Sequence, residues 1–595
     1  MNDYRAPTTD MQFTMEHVVG LEDLVDLDRF AHLERDLLSG ILDEAGRFAS
    51  EVIAPLATVG DTIGSVWNPD GSVTTPPGYK EAYQQFVEAG WPAAGFPEEI
   101  GGGGLPWSVA MAIQEMVKSA DLGFSLCPML TYGAVDMLAQ HSSEEQKATY
   151  LQKLVMGEWS GTMVLTEANA GSDVGALSTK AVAADDGSYR ITGTKIFITW
   201  GDHDLTENTI HIVLARTPDS PPGTKGISCF IVPKFLVNED GSLGERNDVT
   251  CVSIEEKIGI HSSPTCVLSF GDQGEGAVGY LIGEEHRGMR YMFTMMNEAR
   301  LSVGIEGLSL SERAYQQAAE YARERIQGQQ IGSDSHDPVA IINHPDVRRM
   351  LMTMRANIEA MRGLLYSGAH AMDLGRYHED EKVREENEAY ASIVTPLVKA
   401  WATDLGVELT SLGIQIHGGA GYVEETGAAQ WWRDSRIGPI YEGTNGIQAM
   451  DLAMRRLPME GGAVLQRLLE KVASEAAELE GDLKPIGERL TAAVEATGQV
   501  AMTFGAWLMG GEYNNVLAGA TPFLKMMGDT LGGWMLARGA KAAVEGPEGY
   551  SEEFLADRIA TASFYAETIL STVPGLIGAA TAGADDIYEI DGARF

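Results

Sequence analysis

Met163-Val-Leu-Thr-Glu-Ala-Asn-Ala-Gly-Ser-Asp-Val174 is the stretch of the chain that decides the fold. Its apolar start is typical of a strand, and the small residues that follow predict a loop. Small residues let backbone N–H groups approach a ligand closely, and the hydroxyl groups of Thr166 and Ser172 are further donors. The stretch therefore predicts a β-strand that ends in a ligand-binding loop.

A composition typical of β-strands extends from about residue 161 to residue 288. Short β-branched and aromatic runs are separated there by Gly, Pro and Asp residues that favour turns. The predicted strands are Thr162–Leu165, Tyr189–Ile191, Ile196–Thr199, Ile210–Ala215, Ile227–Val232 and Thr265–Phe270. These runs predict a small all-β domain in the middle of the chain.

Helical periodicity flanks this β region on both sides. Before it, apolar residues recur at i, i+3 and i+4, as at Leu38, Ile41 and Leu42. The pattern returns at Tyr291, and a later block has its own apolar face, formed by Leu465, Leu468, Leu469 and Val472. We therefore predict a mainly α fold with a central β domain. Its four domains are a helical domain at 1–160, the β domain at 161–288, a helical bundle at 289–460 and an additional helical domain at 461–595.

The chain carries a large negative charge. Its 43 Lys and Arg residues stand against 85 Asp and Glu residues, which gives a formal net charge of −42 at pH 7. Such a charge repels phosphates over most of the surface, so nucleic acid and anionic membranes are disfavoured as main partners. An anionic ligand would need a local concentration of Arg and Lys.

Cysteine usage and the N-terminal residues favour a reducing compartment. Cys127, Cys229, Cys251 and Cys266 are scattered, without a C-x-x-C pair or a His at metal-ligand spacing. We predict buried free thiols and no metal site. Residues 1–10 lack the features of a signal peptide, and no stretch approaches the ~20 consecutive apolar residues of a membrane helix. The sequence favours a cytoplasmic location.

Two further segments accompany the first one. Lys195-Ile-Phe-Ile-Thr-Trp-Gly201 is a predicted strand, in which Phe197 and Thr199 share a face by period-two alternation. Gln415-Ile-His-Gly-Gly-Ala-Gly-Tyr422 is followed by Tyr441-Glu-Gly-Thr-Asn-Gly-Ile-Gln448. Taken singly, such segments are more often structural than functional.

In this order and spacing, the three segments resemble the acyl-CoA dehydrogenase flavoprotein family, over roughly residues 39–457. The resemblance implies an N-terminal helical domain, a central β-barrel and a helical bundle. The added C-terminal helices are similar to the large, very-long-chain-like bacterial branch. Tyr4-Arg-Ala-Pro-Thr-Thr-Asp10 is similar to the opening of members that act on 3-methylmercaptopropionyl-CoA.

The resemblance implies that Glu442 is the catalytic base. The α-C–H of a thioester is weakly acidic, so a carboxylate that removes this proton must work in a site with little water. One branch of the family carries the base elsewhere, at the position of Ala299, which has no carboxylate. Glu298 is adjacent, but it faces about 100° away around a helix. We expect Glu442 to be the base.

The resemblance also implies FAD as the cofactor and a CoA thioester as the substrate. The residues that match flavin-binding positions are Leu165, Thr166, Phe197, Thr199, Arg325, Gln415, Gly419, Thr444 and Asn445. Arg325 matches an Arg that reaches the flavin from a neighbouring subunit, which implies a homo-oligomer of at least two chains. The residues that match substrate-binding positions are Ser172, Arg300 and Gly443.

Several functional alternatives remain open. A dehydrogenase passes electrons to an electron-transferring flavoprotein, whereas an oxidase with the same base and flavin passes them to oxygen. A non-catalytic scaffold is disfavoured because Glu442 is present. The acyl chain is expected to be short to medium or that of 3-methylmercaptopropionyl-CoA, with long-chain substrates as the alternative.

Overall fold

The computed structural model describes residues 4–332 and 334–595 and is mainly helical, with a β region in the middle of the chain. The helices of seven or more residues are α1 Arg35–Phe48, α2 Ala57–Ile63, α3 Tyr79–Glu88, α4 Trp107–Ala120, α5 Leu122–His141, α6 Gly288–Glu324, α7 Pro345–Tyr377, α8 Glu381–His417, α9 Ala428–Ser435, α10 Asn445–Asp451, α11 Ala463–Ala477, α12 Lys484–Gly510, α13 Tyr513–Glu545 and α14 Glu552–Thr568. Shorter α-helices are Thr8–Phe13, Glu22–Val25, Glu144–Gln146, Gln152–Val155, Ile577–Thr581 and Asp585–Tyr588.

The described chain divides into two compact units, each built from separated segments. Unit 1 contains residues 47–105 and 120–302, and unit 2 contains residues 4–46, 106–119 and 303–595. The predicted division into four consecutive domains is a different partition of the chain and stays a prediction.

The β region in unit 1 is a closed barrel, as the resemblance implied. The strands of unit 1 are β1 Val66–Trp67, β2 Val73–Thr74, β3 Ser160–Val164, β4 Lys180–Ala183, β5 Tyr189–Thr199, β6 Thr209–Arg216, β7 Ile227–Pro233, β8 Phe235–Val237, β9 Leu243–Arg246, β10 Val249–Ile254, β11 Thr265–Phe270 and β12 Ala277–Leu281. The pairing β5–β12–β7–β6–β4 returns to β5, which closes the sheet. Strand β3 pairs in parallel with β6, while β11 extends the sheet from β5 and pairs with β10.

The barrel encloses an apolar core. Val164, Ile191, Val213 and Phe230 are each fully buried there. Burial of side chains of this size stabilises the fold by roughly 1.5–3 kcal/mol each, relative to leaving them exposed. The predicted runs Tyr189–Ile191 and Ile196–Thr199 are parts of the single strand β5. The barrel core therefore depends on the β-branched and aromatic residues that marked the region in the sequence.

Strand β5 is irregular near its end. Its pairing with β11 shifts between Lys195 and Ile198, so both of these residues are buried although they are three positions apart. Phe197, between them, has a φ of 59° and lies in the left-handed region. This β-bulge turns the Phe197 side chain outward, where it is 59% exposed.

Unit 2 is a helical assembly in which α7 and α8 form the longest antiparallel pair. The C-terminal helices α11–α14 belong to the same unit, and the predicted face Leu465, Leu468, Leu469 and Val472 is buried. Gly528 on α13 allows a close approach to α8, because a Cβ atom there would lie 2.3 Å from the Trp401 ring. The C-terminal helices are thus integrated with the bundle.

Helix α5 passes a length and hydropathy test for a membrane span, with a mean hydropathy of 1.3. However, 89% of that window is buried inside the folded protein. Burial of this kind is typical of the core helix of a globular domain, so the test is weak evidence for a span. The four cysteines are free and buried.

Candidate active site

The predicted base lies in a short loop of unit 2, between α9 and α10. We call residues 441–444 the base loop. Glu442 has a φ of 54° and Gly443 a φ of 83°, so two consecutive residues are left-handed. Thr444 ends the loop as the N-cap of α10, where its hydroxyl accepts a bond from the Ile447 N–H. This turn is tight, and it contains a non-glycine residue in a conformation that disfavours a side chain.

The carbonyl groups of the base loop are held by buried side chains. Lys399 Nζ donates to the Gly443 carbonyl at 2.7 Å and to Asn445 Oδ1 at 2.9 Å. Gln448 Nε2 donates to the Glu442 carbonyl at 3.0 Å. Lys399 and Gln448 are both fully buried. The backbone that carries Glu442 is therefore fixed by groups that water does not reach.

A second buried carboxylate lies behind the loop. The Tyr441 hydroxyl donates to Glu306 Oε2 at 2.5 Å, and Lys118 Nζ lies 3.9 Å from Glu306 Oε1. Burial raises the pKa of the Tyr441 hydroxyl well above its ordinary value, and the charges of Glu306 and Glu442 raise it further.

The two predicted flavin segments of unit 1 lie side by side. The Ile196 N–H donates to the Thr166 carbonyl at 2.9 Å. Lys195 Nζ donates to the Leu165 carbonyl at 2.8 Å and to Glu167 Oε1 at 2.9 Å. A buried ion pair thus joins β5 to the loop after β3.

Lys195 and Glu167 each favour the charged form of the other. Burial would raise the pKa of Glu167, but Lys195 and four hydrogen bonds from Ser178 and Thr179 lower it to about 2. Burial lowers the pKa of Lys195 to about 8, against the opposite effect of Glu167. Both residues lie in segments that the sequence analysis singled out, but they were given no role there.

Unit 1 offers an exposed surface that fits a planar aromatic cofactor. Phe197 is 59% exposed, while Thr166 and Thr199 are half-buried. In the neighbouring loop Ser172 is exposed, and a Cβ atom at Gly171 would meet nothing within 4 Å. An open aromatic face beside hydroxyl groups and an uncrowded loop is suited to a flavin ring and its polar edge.

The remaining predicted flavin residues lie in unit 2. Gln415 and Gly419 are exposed at the end of α8, and Arg325 is exposed just after the end of α6. The rings of Tyr321 and His417, 4.6 Å apart, bring these two helix ends together. His417 Nδ1 also bonds to the Gly413 carbonyl at 2.7 Å, so this histidine has a packing environment.

Asn445, Arg300 and the alternative candidate base Glu298 are less exposed. Asn445 Nδ2 donates to the Ala400 carbonyl at 3.0 Å and to Asp404 Oδ1 at 2.7 Å, which ties α10 to α8. In unit 1, Arg300 is 8% exposed and Glu298 is 6% exposed. Arg300 thus lies within the protein rather than on its surface.

The residues that sequence reasoning missed are the buried charges around the base loop. Lys399 lies within the apolar run Leu397-Val-Lys-Ala-Trp401, and Glu306 lies within Val303-Gly-Ile-Glu-Gly-Leu308. A lone charge in an otherwise apolar stretch of a buried helix was the available signal.

Family comparisons match nearly the whole chain. Residues 39–158, 162–273 and 286–457 match the N-terminal, middle and C-terminal domains of acyl-CoA dehydrogenase. Residues 465–591 match a family described as acetyl-CoA dehydrogenase C-terminal like.

Two curated bacterial relatives match over nearly their full length. The 3-methylmercaptopropionyl-CoA dehydrogenase of Ruegeria pomeroyi is 46% identical over 95% of this chain and 96% of its own. The broad-specificity linear acyl-CoA dehydrogenase FadE5 of Mycobacterium tuberculosis is 34% identical over 100% of both chains.

Solved structures share the fold. Caenorhabditis elegans ACDH-11 in complex with C11-CoA has a TM-score of 0.77 and 20% identity, covering 96% of this chain and 92% of that one. An acyl-CoA dehydrogenase complexed with FAD from Bacillus anthracis has a TM-score of 0.71 and 22% identity, covering 94% and 89%.

Proposed function

Since the chain belongs to the acyl-CoA dehydrogenase family, an oxidoreductase family of flavoproteins, we propose that Glu442 removes the α-proton of its acyl-CoA substrate. The product is the trans-2-enoyl-CoA. The observation that carries this proposal is the fixed base loop, in which buried Gln448 and Lys399 hold the carbonyl groups of Glu442 and Gly443. A carboxylate whose position is fixed in advance loses little entropy on the way to the transition state.

Glu442 acts on a weak carbon acid, so the developing enolate must be stabilised. The thioester oxygen would accept a hydrogen bond from the Glu442 backbone N–H, which is held by the same left-handed turn. Gly443, with a φ of 83°, allows the thioester to approach the backbone without a side chain in the way. Base and hydrogen-bond donor would then come from one rigid residue.

We assign the flavin-binding role to the residues that match the family. Phe197, Thr166, Thr199 and Leu165 of unit 1 match positions that contact the ring system, and Thr444 and Asn445 of unit 2 match further flavin-binding positions of the family. Arg325, Gln415 and Gly419, all exposed in unit 2, would hold the adenosine side in a partner chain. When bound, FAD supplies the acceptor for the hydride that leaves the β-carbon.

For the substrate we favour 3-methylmercaptopropionyl-CoA or a short-to-medium fatty acyl-CoA. The relative named for the sulfur-containing substrate shares 46% identity with this chain, against 34% for the broad-specificity relative. Ser172, Arg300 and Gly443 are the proposed substrate contacts. An electron-transferring flavoprotein is the proposed electron acceptor, in an active unit of at least two chains.

The test of the base is Glu442→Gln, with Glu298→Gln as the matched control. Flavin reduction by acyl-CoA is followed without air in a stopped-flow instrument, after equal flavin content has been verified. We expect Glu442→Gln to lose at least about 10³-fold in rate, the scale of a positioned proton acceptor, while Glu298→Gln retains activity. More than a tenth of wild-type activity in Glu442→Gln would contradict the assignment.

The test of the substrate is a series from butanoyl- to hexadecanoyl-CoA, measured beside 3-methylmercaptopropionyl-CoA. Each methylene that the pocket accommodates adds roughly 0.8 kcal/mol of binding, so kcat/KM should rise with length until the pocket ends. We expect an abrupt fall after a few carbons. A rate that still climbs at hexadecanoyl-CoA would favour a long-chain enzyme. Reoxidation of the reduced flavin by air at the rate of turnover would favour an oxidase.

A further inference from the structure

Glu306 has no part in the chemistry proposed above, yet it is one of the most enclosed charges in unit 2. It lies on α6 and is 2% exposed. Its nearest hydrogen-bond partner is the Tyr441 hydroxyl, at 2.5 Å, and Tyr441 directly precedes the base in the chain. A buried carboxylate is costly unless its surroundings compensate for lost water, so its presence here requires a reason.

A purely structural ion pair would have a different geometry. In the same unit, Arg362 Nη2 approaches Glu115 Oε1 at 2.7 Å, a contact typical of a buried salt bridge. Lys118 Nζ is 3.9 Å from Glu306 Oε1, beyond hydrogen-bond distance. The short bond of Glu306 goes to Tyr441 instead, so the carboxylate is directed at the base loop.

The side chains that act on the pKa of Glu306 belong to three elements. Lys118 faces it from α4, Lys399 from α8, and Tyr441 from the base loop. Burial raises the pKa of Glu306, while the two lysines and the Tyr441 hydroxyl act in the opposite direction. The Tyr441 hydroxyl is itself under the influence of both Glu306 and Glu442, which keeps its proton in place.

We propose that Glu306 is a positioning residue for Glu442: through the Tyr441 hydroxyl it fixes the start of the base loop. Its catalytic consequence rests on the proposed function. The bond from Tyr441 and the bonds from Lys399 restrain the loop at both ends of Glu442.

The experiment compares Glu306→Ala, Glu306→Gln and Tyr441→Phe with the wild-type chain. Glu306→Gln keeps an acceptor for the Tyr441 hydroxyl and removes the charge, whereas Glu306→Ala removes both. Glu312→Gln is the matched control, because Glu312 is a buried glutamate on the same helix that bonds to Arg362 at 2.8 Å. The readouts are the saturated rate of flavin reduction against pH, KM, and hydrogen exchange over residues 436–448 without substrate.

We expect Glu306→Ala and Tyr441→Phe to lower the saturated rate about tenfold with little change in KM, the scale expected of a lost positioning contact. Glu306→Gln should recover most of that rate, because it keeps an acceptor for the Tyr441 hydroxyl. Exchange at residues 441–445 should rise in Glu306→Ala and Tyr441→Phe and stay unchanged in Glu312→Gln.

Equal losses of rate in Glu306→Ala and Glu306→Gln would overturn the inference. If Glu306→Ala does not fold, Tyr441→Phe tests the inference instead, because it removes one oxygen atom and leaves every charge in place. A wild-type rate and wild-type hydrogen exchange in Tyr441→Phe would overturn the inference. The exchange measurement needs no substrate. If acyl-CoA fails to reduce even the wild-type flavin, the proposed function fails while the positioning of the loop is still tested.

Discussion

Replacement of Lys399 by Met should release the base loop without emptying the space that the lysine stem occupies. The change removes two bonds from a buried ammonium group, to the Gly443 carbonyl at 2.7 Å and to Asn445 Oδ1 at 2.9 Å. Hydrogen bonds of this charged kind contribute about 1.5–3 kcal/mol each, so the gross loss is about 3–6 kcal/mol. Part of it is offset because Met does not require burial of a charge.

The catalytic effect should exceed that of a general loss of stability. A reacting group misplaced by about 1 Å costs on the order of 10²-fold in rate, and we expect a loss of this size in flavin reduction by acyl-CoA. Stopped-flow spectroscopy without air measures this rate, and thermal unfolding measures stability in the same samples. Lys153→Met is the control, because Lys153 also donates to a backbone carbonyl, that of Gly241 at 3.2 Å, but lies in unit 1. A Lys399→Met rate within twofold of wild type would refute the reasoning.

Two further predictions concern unit 1 and assembly. Because the pKa of Glu167 is lowered from 4.5 to about 2 in the folded state, the stability it contributes is present above about pH 4.5 and is lost as pH falls towards 2. The difference in free energy of unfolding between wild type and Glu167→Gln should therefore narrow from pH 7 to pH 3 in denaturant titrations, and a constant difference would contradict the role of this ion pair. Arg325→Ala should lose FAD on dilution more readily than wild type while its thermal unfolding without flavin is unchanged. A fully active, flavin-bound single chain by light scattering would rule out a site shared between subunits.

The sequence predicted the barrel better than the details that position its ligand surface. The runs around Ile191, Val213 and Phe230 are β-branched and aromatic, and they form strands as expected. The short strands β4 and β12 were missed, because they contain few such residues and are defined by pairing with distant partners. Strand β10 was also missed, although most of its residues are β-branched. The bulge at Phe197 likewise depends on pairing with β11, which no local pattern encodes.

The candidate base could be identified from the sequence, whereas its supports could not. Glu442 lies in a short motif that could be recognised from its order and spacing relative to two other segments of the chain. The Tyr441–Glu306 bond joins residues 135 positions apart, and the Lys399–Gly443 bond joins residues 44 positions apart. Such contacts arise only when α6, α8 and the loop before α10 are packed together in unit 2. Contacts between residues so far apart in the sequence can be identified only from the tertiary structure.

The left-handed backbone at Glu442 has a consequence for how this position changes over evolution. A side chain in that conformation costs roughly 1–2 kcal/mol relative to glycine, and asparagine tolerates it better than glutamate. Selection for stability alone would therefore replace Glu442 by Gly or Asn, and only selection for proton removal would retain it. In a relative that has lost dehydrogenase activity, this residue should be among the first to change, and the expected replacements are Gly and Asn. Under the proposed role of Glu442, the amino acid at this one position records whether a lineage still uses the enzyme as a catalyst.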